Sequence, residues 1–276
     1  MTWHAQLDMA YTAVQQRTVA HHAHNGPLRV LHSLYPEGDS VCHNVLVHPP
    51  GGLVGGDTLD IKITASGHAH GLITTPGATR FYRSAGEPAV QRTSINLTDA
   101  SRLEWLPLET IGYNACLAEN HLAVSLSPQA EFMGWDITAL GLPGAGLPFE
   151  QGRFLQQMAV PGIWLERGLL DASDARLMNG PLGLAGLRCM ASLLFVSGSP
   201  FDRNRRELAL ALAREVIRHH ALGKTAGATC PNGQVIVLRV LSPLVEPAVD
   251  LLRQVWAQWR LHFWQLAAVA PRIWST

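Results

Sequence analysis

Val47–Ser84 reads VHPPGGLVGGDTLDIKITASGHAHGLITTPGATRFYRS, and the reading of its glycines decides the fold. Two prolines precede Gly51-Gly52 and Gly55-Gly56, then come Asp57, an alternating run and a second turn. A glycine-rich loop that cradles a phosphate would make this an enzyme. The stretch lacks the G-x-G-x-x-G order of a dinucleotide-binding loop and the Lys-Ser/Thr ending of a P-loop. It also leads into Thr58–Thr64, which alternates as a strand, so no helix N-terminus would face a phosphate. The glycines therefore read as tight turns, placed where the backbone needs positive φ or close approach.

Outward from this stretch the same alternation continues. Ile61 and Ile63 share one face of a strand, as do Ile95 with Leu97, and Leu122 with Val124 and Leu126. Turn signals punctuate these runs at Asn25-Gly26-Pro27, Pro36–Asp39, Pro76-Gly77 and Pro143-Gly144. Many short strands with regular turns predict a mainly antiparallel β architecture. Two helices are expected in the C-terminal third. The first follows Asn204 as N-cap, with Leu208, Ala211, Leu212 and Val216 as its apolar stripe. The second opens at Glu246-Pro247 and carries Leu251, Leu252, Val255, Trp256 and Trp259. No internal repeat or composition break is visible, which predicts a single domain over residues 1–276.

Composition narrows the function classes. The 276 residues carry 21 basic and 21 acidic side chains, which gives no electrostatic case for nucleic acid or an anionic membrane. Charged residues make up 15%, against about 25% in typical soluble domains, a deficit that suits a surface covered by partners. The N-terminus shows no secretory pattern, and the most apolar stretch, Pro181–Phe201, is interrupted by Arg188. Cys42, Cys116, Cys189 and Cys230 lie far apart, which fits a reducing cytoplasm better than a disulfide framework or structural zinc.

Candidate chemistry is sparse. Histidines group as His21-His22-x-His24, His43 with His48, His68-x-His70 and His219-His220. Imidazole suits nickel, copper and zinc, but Gly67 and Gly71 make the His68–His70 pair look like a solvated hairpin. The best metal candidate is Cys42 and His43 with His48. No G-x-S-x-G, H-E-x-x-H or S-x-x-K set is present. Glu104 and Glu109 could do acid–base work, although their spacing puts them on opposite faces of a continuous strand.

HPPGGLVGGD (His48–Asp57), TTPGATRFYRS (Thr74–Ser84), LEWLPLETI (Leu103–Ile111), GWD (Gly134–Asp136) and PRIW (Pro271–Trp274) occur in this order. Together they resemble the UreD/UreH family of urease accessory proteins over nearly the whole chain. The matched positions include Gly51, Gly52, Gly55, Gly56, Arg80, Tyr82, Arg83, Trp105, Arg272 and Trp274. The resemblance implies a non-catalytic, mainly β scaffold of stacked antiparallel or mixed sheets, β-helix-like, with two α-helices. Its implied partners are the urease apoprotein, the helical accessory protein UreF and, through UreF, the GTPase UreG. Nickel would pass only transiently, with no tightly bound cofactor. Asp57, Glu104, Glu109 and Asp136 are the acids that could line its route.

Several departures stand out. Arg80 replaces a usual lysine, Leu108 a common glutamine, and Tyr113 a common phenylalanine. In GLPGAGLPF (Gly141–Phe149), Leu142 and Leu147 stand where the family favours arginine and glutamate. Joint loss of an opposite-charge pair predicts a buried apolar contact between the two leucines. Along EFMGWDI, alternation puts Met133, Trp135 and Ile137 on an apolar face and turns Asp136 towards a polar interior. The rival reading is a metal-dependent hydrolase built on Cys42, His43, His48 and Asp57; a nickel store with several ions per chain is a third.

Overall fold

The structure, a computed structural model, is described from Thr2 to Ser275. A hairpin of β1 (His4–Val14) and β2 (Arg17–Asn25) opens the chain, followed by β3 (Arg29–Val30) and β4 (Val41–Val47). Then the backbone coils. The opening stretch forms the first coil, β5 (Thr58–Ser66), β6 (His70–Thr74) and β7 (Thr79–Phe81). The second is β8 (Ala89–Leu97), β9 (Arg102–Leu106) and β10 (Thr110–Gly112). The third begins with β11 (Cys116–Leu126) and β12 (Glu131–Leu140). A hairpin of β13 (Gly152–Val160) and β14 (Trp164–Asp171), the single-turn helix α1 (Ala175–Asn179) and β15 (Cys189–Ser197) come next. The chain ends with α2 (Arg203–His219), β16 (Ala226–Asn232), β17 (Val235–Ser242) and α3 (Val245–Trp259), which runs into a π-turn over Arg260–Trp264.

Successive coils stack in register, so Thr58 lies beside Val90 and Val90 beside Glu119 in one sheet. In the other, His70 lies beside Arg102 and Arg102 beside Glu131. One sheet has the order β14-β13-β11-β8-β5-β1-β2 and the other β16-β17-β15-β12-β9-β6-β4-β3. The pairings are mixed. They are parallel through the coils and antiparallel at the two ends, where hairpins close the stack. One sequence expectation is thereby corrected and another borne out: the centre is parallel rather than antiparallel, while the mainly β, stacked, β-helix-like architecture with two long helices is as expected. Alternation specifies which face is buried and says nothing about which strand lies alongside.

Two cores result. Between the sheets lie the inward residues of each coil, such as Ile61, Ile63, Ile95, Leu122, Val124 and Phe132. The outer face of the larger sheet packs Met133, Trp135 and Ile137 against the helices, where Leu251, Leu252, Val255, Trp256 and Trp259 of α3 are buried as expected. For α2 the expectation needs shifting. Asp202 caps it by accepting from the Arg205 N–H (2.8 Å), and Ala209, Ala213 and Ile217 face the core while Leu208 is 43% exposed. Small residues let the helix approach the sheet, so Leu208 is left outside, while Leu212 and Val216 pack at the edge of the core. No helix among the described residues is long and apolar enough to cross a membrane.

Candidate functional site

Stacked coils place equivalent positions in columns, and one column is polar. Leu59 of β5 lies beside Gln91 of β8, Gln91 beside Asn120 of β11, and Asn120 beside Gln156 of β13, all directed between the sheets. Asp136 projects from β12 against this amide ladder. Its carboxylate accepts from Asn120 Nδ2 (2.8 Å) and Thr138 Oγ1 (3.1 Å), and also from Gln156 Nε2. The expectation that Asp136 turns to a polar interior therefore holds. Burial, opposed by the Thr138 and Asn120 hydrogen bonds, pushes its carboxyl up to about 6.

Around Asp136 is a narrow cavity of about 10 Å³, room for roughly one water, also lined by Thr93, whose buried hydroxyl has no partner. Asp136 is the one ionisable group in its lining. Gln91, Thr79, Trp105 and Pro107 also line a cavity of about 230 Å³ that reaches His48, Gly51, Gly52 and Arg80. Leu108 likewise lines a cleft of about 490 Å³ beside α3, walled by Glu109, Cys189, Glu246, Asp250 and Trp274. Three cavities that share lining residues thus lie one after another between the glycine loop and the helix side, and Asp136 lines the middle one. Oxygen donors without an imidazole or thiolate suit passing contact with a divalent transition metal better than tight capture.

The remaining predicted residues fall into distinct places. Cys42 and His43 are consecutive on β4 and point to opposite faces. Cys42 contacts Asn44 Oδ1 (3.4 Å) in the inter-sheet core, whereas His43 meets Glu37 (2.6 Å) on the helix side. His48 lines the glycine-loop cavity with a buried, unpartnered Nε2, and burial lowers its pKa against the raising effect of Asp57. Asp57 ties the loop, accepting from the Trp3 and Val54 N–H groups at 2.9 Å each. The four residues of the hydrolase reading are not brought together. Among the described residues no group of three or more His, Cys, Asp or Glu could hold a metal.

Glu104 lies off the cavity chain. It is fully buried on the helix side, accepting from His70 Nε2 (2.8 Å) and Trp256 Nε1 (2.5 Å), with Arg260 Nε at 3.2 Å. Burial would raise its carboxyl, but the His70 hydrogen bond and the Arg260 charge outweigh that and hold it below the usual range. His70 is thus buried, contrary to the solvated hairpin expected, while His68 occupies the turn with φ +65°. Its pKa is lowered, chiefly by burial, so His70 is the neutral donor to an ionised Glu104. His22 and His24 stack on exposed β2 with ring centroids 6.0 Å apart. Trp274 packs on Trp135 (5.4 Å) and Trp256 (5.8 Å) and donates to Thr74 Oγ1 (2.8 Å), while Arg272 is exposed.

The glycines do serve turns. Gly51 and Gly56 have φ of +75° and +88°. At Gly52 a Cβ would lie 2.3 Å from Tyr82 Cε2 and 2.9 Å from the Arg80 carbonyl, so the loop is a seat for the Tyr82 ring. Gly52→Ala should cost about 1–3 kcal/mol by overpacking and unseat that ring. Gly77→Ala, with nothing within 4 Å, should be silent in the same thermal denaturation.

Leu142 and Leu147 do meet across the turn, through backbone bonds of 2.7 and 3.1 Å, but Leu147 is 55% exposed. The contact is a surface one, since the turn projects from the sheet edge. A cycle of Leu142→Arg and Leu147→Glu should therefore show coupling below about 1 kcal/mol, which urea denaturation of the four proteins would measure.

Sequence reasoning missed Gln91, Asn120, Gln156 and Thr93. A signal was present: each interrupts an inward apolar alternation, and register aligns the three amides. Missing was the knowledge that their strands are stacked.

The family model described as UreD urease accessory protein matches residues 4–275. Curated relatives named urease accessory protein UreD include those of Polaromonas sp. (strain JS666 / ATCC BAA-500), 65% identical over 275 residues, and Variovorax paradoxus (strain S110), 62% identical over 276. That of Methylibium petroleiphilum (strain ATCC BAA-1232 / LMG 22953 / PM1) is 45% identical over 296 residues, and each of these matches covers 100% of both chains. With motifs, coiled fold and full-length identity in agreement, this chain belongs to the UreD family of urease accessory proteins, whose part in urease maturation is accessory rather than catalytic.

Proposed function

We propose that this protein is a scaffold joining urease to UreF, and through UreF to UreG, and that nickel crosses it on the way to the urease active site. One observation carries the reading: three cavities that share lining residues lie between the glycine loop and the helix side, and a single buried carboxylate lines the middle one. A dication needs an anionic stopping point in a low-dielectric interior, yet must be held weakly enough to leave. Asp136 with neutral amide and hydroxyl neighbours supplies that combination. Glu109 and Asp250 on the helix-side cleft supply negative charge at one end. Asp57 and Glu104 lie off the route, because neither lines any of the three cavities; they serve the loop and the helix-side network instead.

Co-expression with the urease subunits and UreF, followed by a pull-down through this protein, should recover all partners. Deleting its gene should leave urease subunits at normal abundance but poor in nickel when the metal is limiting. Urease of normal nickel content in that deletion would defeat the proposal.

A further inference from the structure

Three Asn-Gly pairs occur in the chain, at Asn25-Gly26, Asn179-Gly180 and Asn232-Gly233. In such a pair the glycine nitrogen can attack the preceding side-chain amide, because no Cβ shields it and its backbone bends freely. The fold treats the three pairs differently.

In two of them the reacting groups are tied to other partners. Asn179 Oδ1 accepts from Arg188 Nη2 (2.8 Å), and the Gly180 N–H is taken up by the Arg176 carbonyl (2.9 Å). Asn232 Oδ1 accepts from the N–H groups of Gln234 (2.9 Å) and Val235 (3.1 Å), while its Nδ2 donates to the Ile163 carbonyl (3.1 Å). Asn25 is the exception. It ends β2, is exposed, and its Oδ1 accepts from the Gly26 N–H itself at 2.7 Å. Its side chain has no other hydrogen-bond partner among the described residues. The attacking nitrogen therefore already faces the amide, whose Cγ lies one bond behind that oxygen.

We infer that Asn25-Gly26 is a site of spontaneous deamidation, which loosens the β1–β2 hairpin as the protein ages. The Gly26 nitrogen loses its proton to solvent and bonds to Asn25 Cγ. The Cγ–Nδ2 bond breaks, and ammonia leaves with a proton from water. A water molecule then opens the five-membered imide at either carbonyl, giving aspartate or isoaspartate, and nothing is oxidised or reduced. Isoaspartate routes the backbone through the side chain and so inserts a methylene. Little room exists for it, since even a Cβ on Gly26 would lie 3.0 Å from Ala5 Cα and 3.1 Å from the His4 carbonyl. That end of β1 adjoins Trp3, whose N–H is held by Asp57 of the glycine loop (2.9 Å) and whose carbonyl accepts from the Thr58 N–H (2.9 Å).

The test holds purified full-length protein at mildly alkaline pH, native and in denaturant, and follows each pair by peptide mapping that separates aspartyl from isoaspartyl forms. In the native protein Asn25 should convert at least ten-fold faster than Asn179 or Asn232. In denaturant the three pairs should convert at comparable rates, since only the fold distinguishes them. The converted protein, separated by its added negative charge, should melt below the Asn25→Asp variant, which carries that charge without the inserted methylene. Equal native rates at the three pairs, or an Asn25 that stays intact in the native protein, would overturn the inference. Converted protein that melts together with Asn25→Asp would overturn the loosening of the hairpin.

Discussion

Replacing Asp136 with asparagine should stabilise the protein above pH 6 and leave urease poor in nickel. The folded carboxyl is raised from 3.8 to about 6, so folding favours its protonated form. Its contribution is fully present below the unfolded value and is lost as pH rises through about 6. A rise from 3.8 to about 6 corresponds to about 3 kcal/mol, so near pH 8 the ionised Asp136 opposes folding by that order. Asparagine removes the charge and keeps the shape. The variant should melt roughly 5–10 °C above the wild type at pH 8, and the gap should close towards pH 4. Urease matured with it should contain several-fold less nickel while partner binding persists. A variant that melts lower at pH 8 would show that the carboxylate serves as a structural acceptor for Asn120, Thr138 and Gln156.

Arg260→Met should produce the largest loss of stability. The Arg260 side chain is wholly buried, its Nη2 2.8 Å from Glu37 and its Nε 3.2 Å from Glu104 but off the hydrogen-bonding direction. Its Nη1 also donates to the Ala267 carbonyl (2.6 Å). Each carboxylate is in turn paired with a histidine, Glu37 with His43 and Glu104 with His70. Removing the guanidinium leaves buried negative charge uncompensated, costing about 3–5 kcal/mol and lowering the melting temperature by roughly 10 °C or more. Adding Glu37→Gln and Glu104→Gln should recover much of that loss, which thermal denaturation of the series would show as strong non-additivity. Additive effects would rule out the clamp.

This network also sets an acid limit opposite in sign to Asp136. His70 has a lowered pKa, so below about 6.5 the unfolded chain takes up a proton that the folded one resists, and stability is lost as the pH drops. Glu104, also lowered, contributes stability above its unfolded value that is lost at still lower pH. His70→Gln should flatten the decline below pH 6.5 in a melting profile. An unchanged slope would place the acid sensitivity elsewhere.

Local features were legible in the sequence. Alternation identified the buried faces of β5, β8, β11 and β12, including the inward turn of Asp136, because side-chain direction follows from strand geometry alone. The glycine loop declared itself a turn by what it lacked and by the strand it precedes. The α3 stripe was readable because apolar residues at helical spacing must share a face, and five ordered motifs marked the family. The boundary and stripe of α2 were misplaced by one to two residues, since several nearby residues can cap and the sheet alone selects which face fits.

What tertiary structure decided was adjacency. Period-2 patterns are identical for hairpins and for coils, so parallel stacking was invisible until register placed Gln91, Asn120 and Gln156 in one column. The joining of Glu104 to Trp256, 152 positions away, depends on α3 folding back across the sheet. Cys42 and His43 look like paired ligands in sequence, yet consecutive residues of a strand face opposite ways, and burial separates them into different cores. Leu142 and Leu147 meet as expected but remain at the surface, because the turn that pairs them projects beyond the sheet. The sequence by itself determined which side chains turn inward and where the chain turns. Only the stacking of distant strands decided which inward groups meet, because contact between coils depends on register that no local pattern encodes.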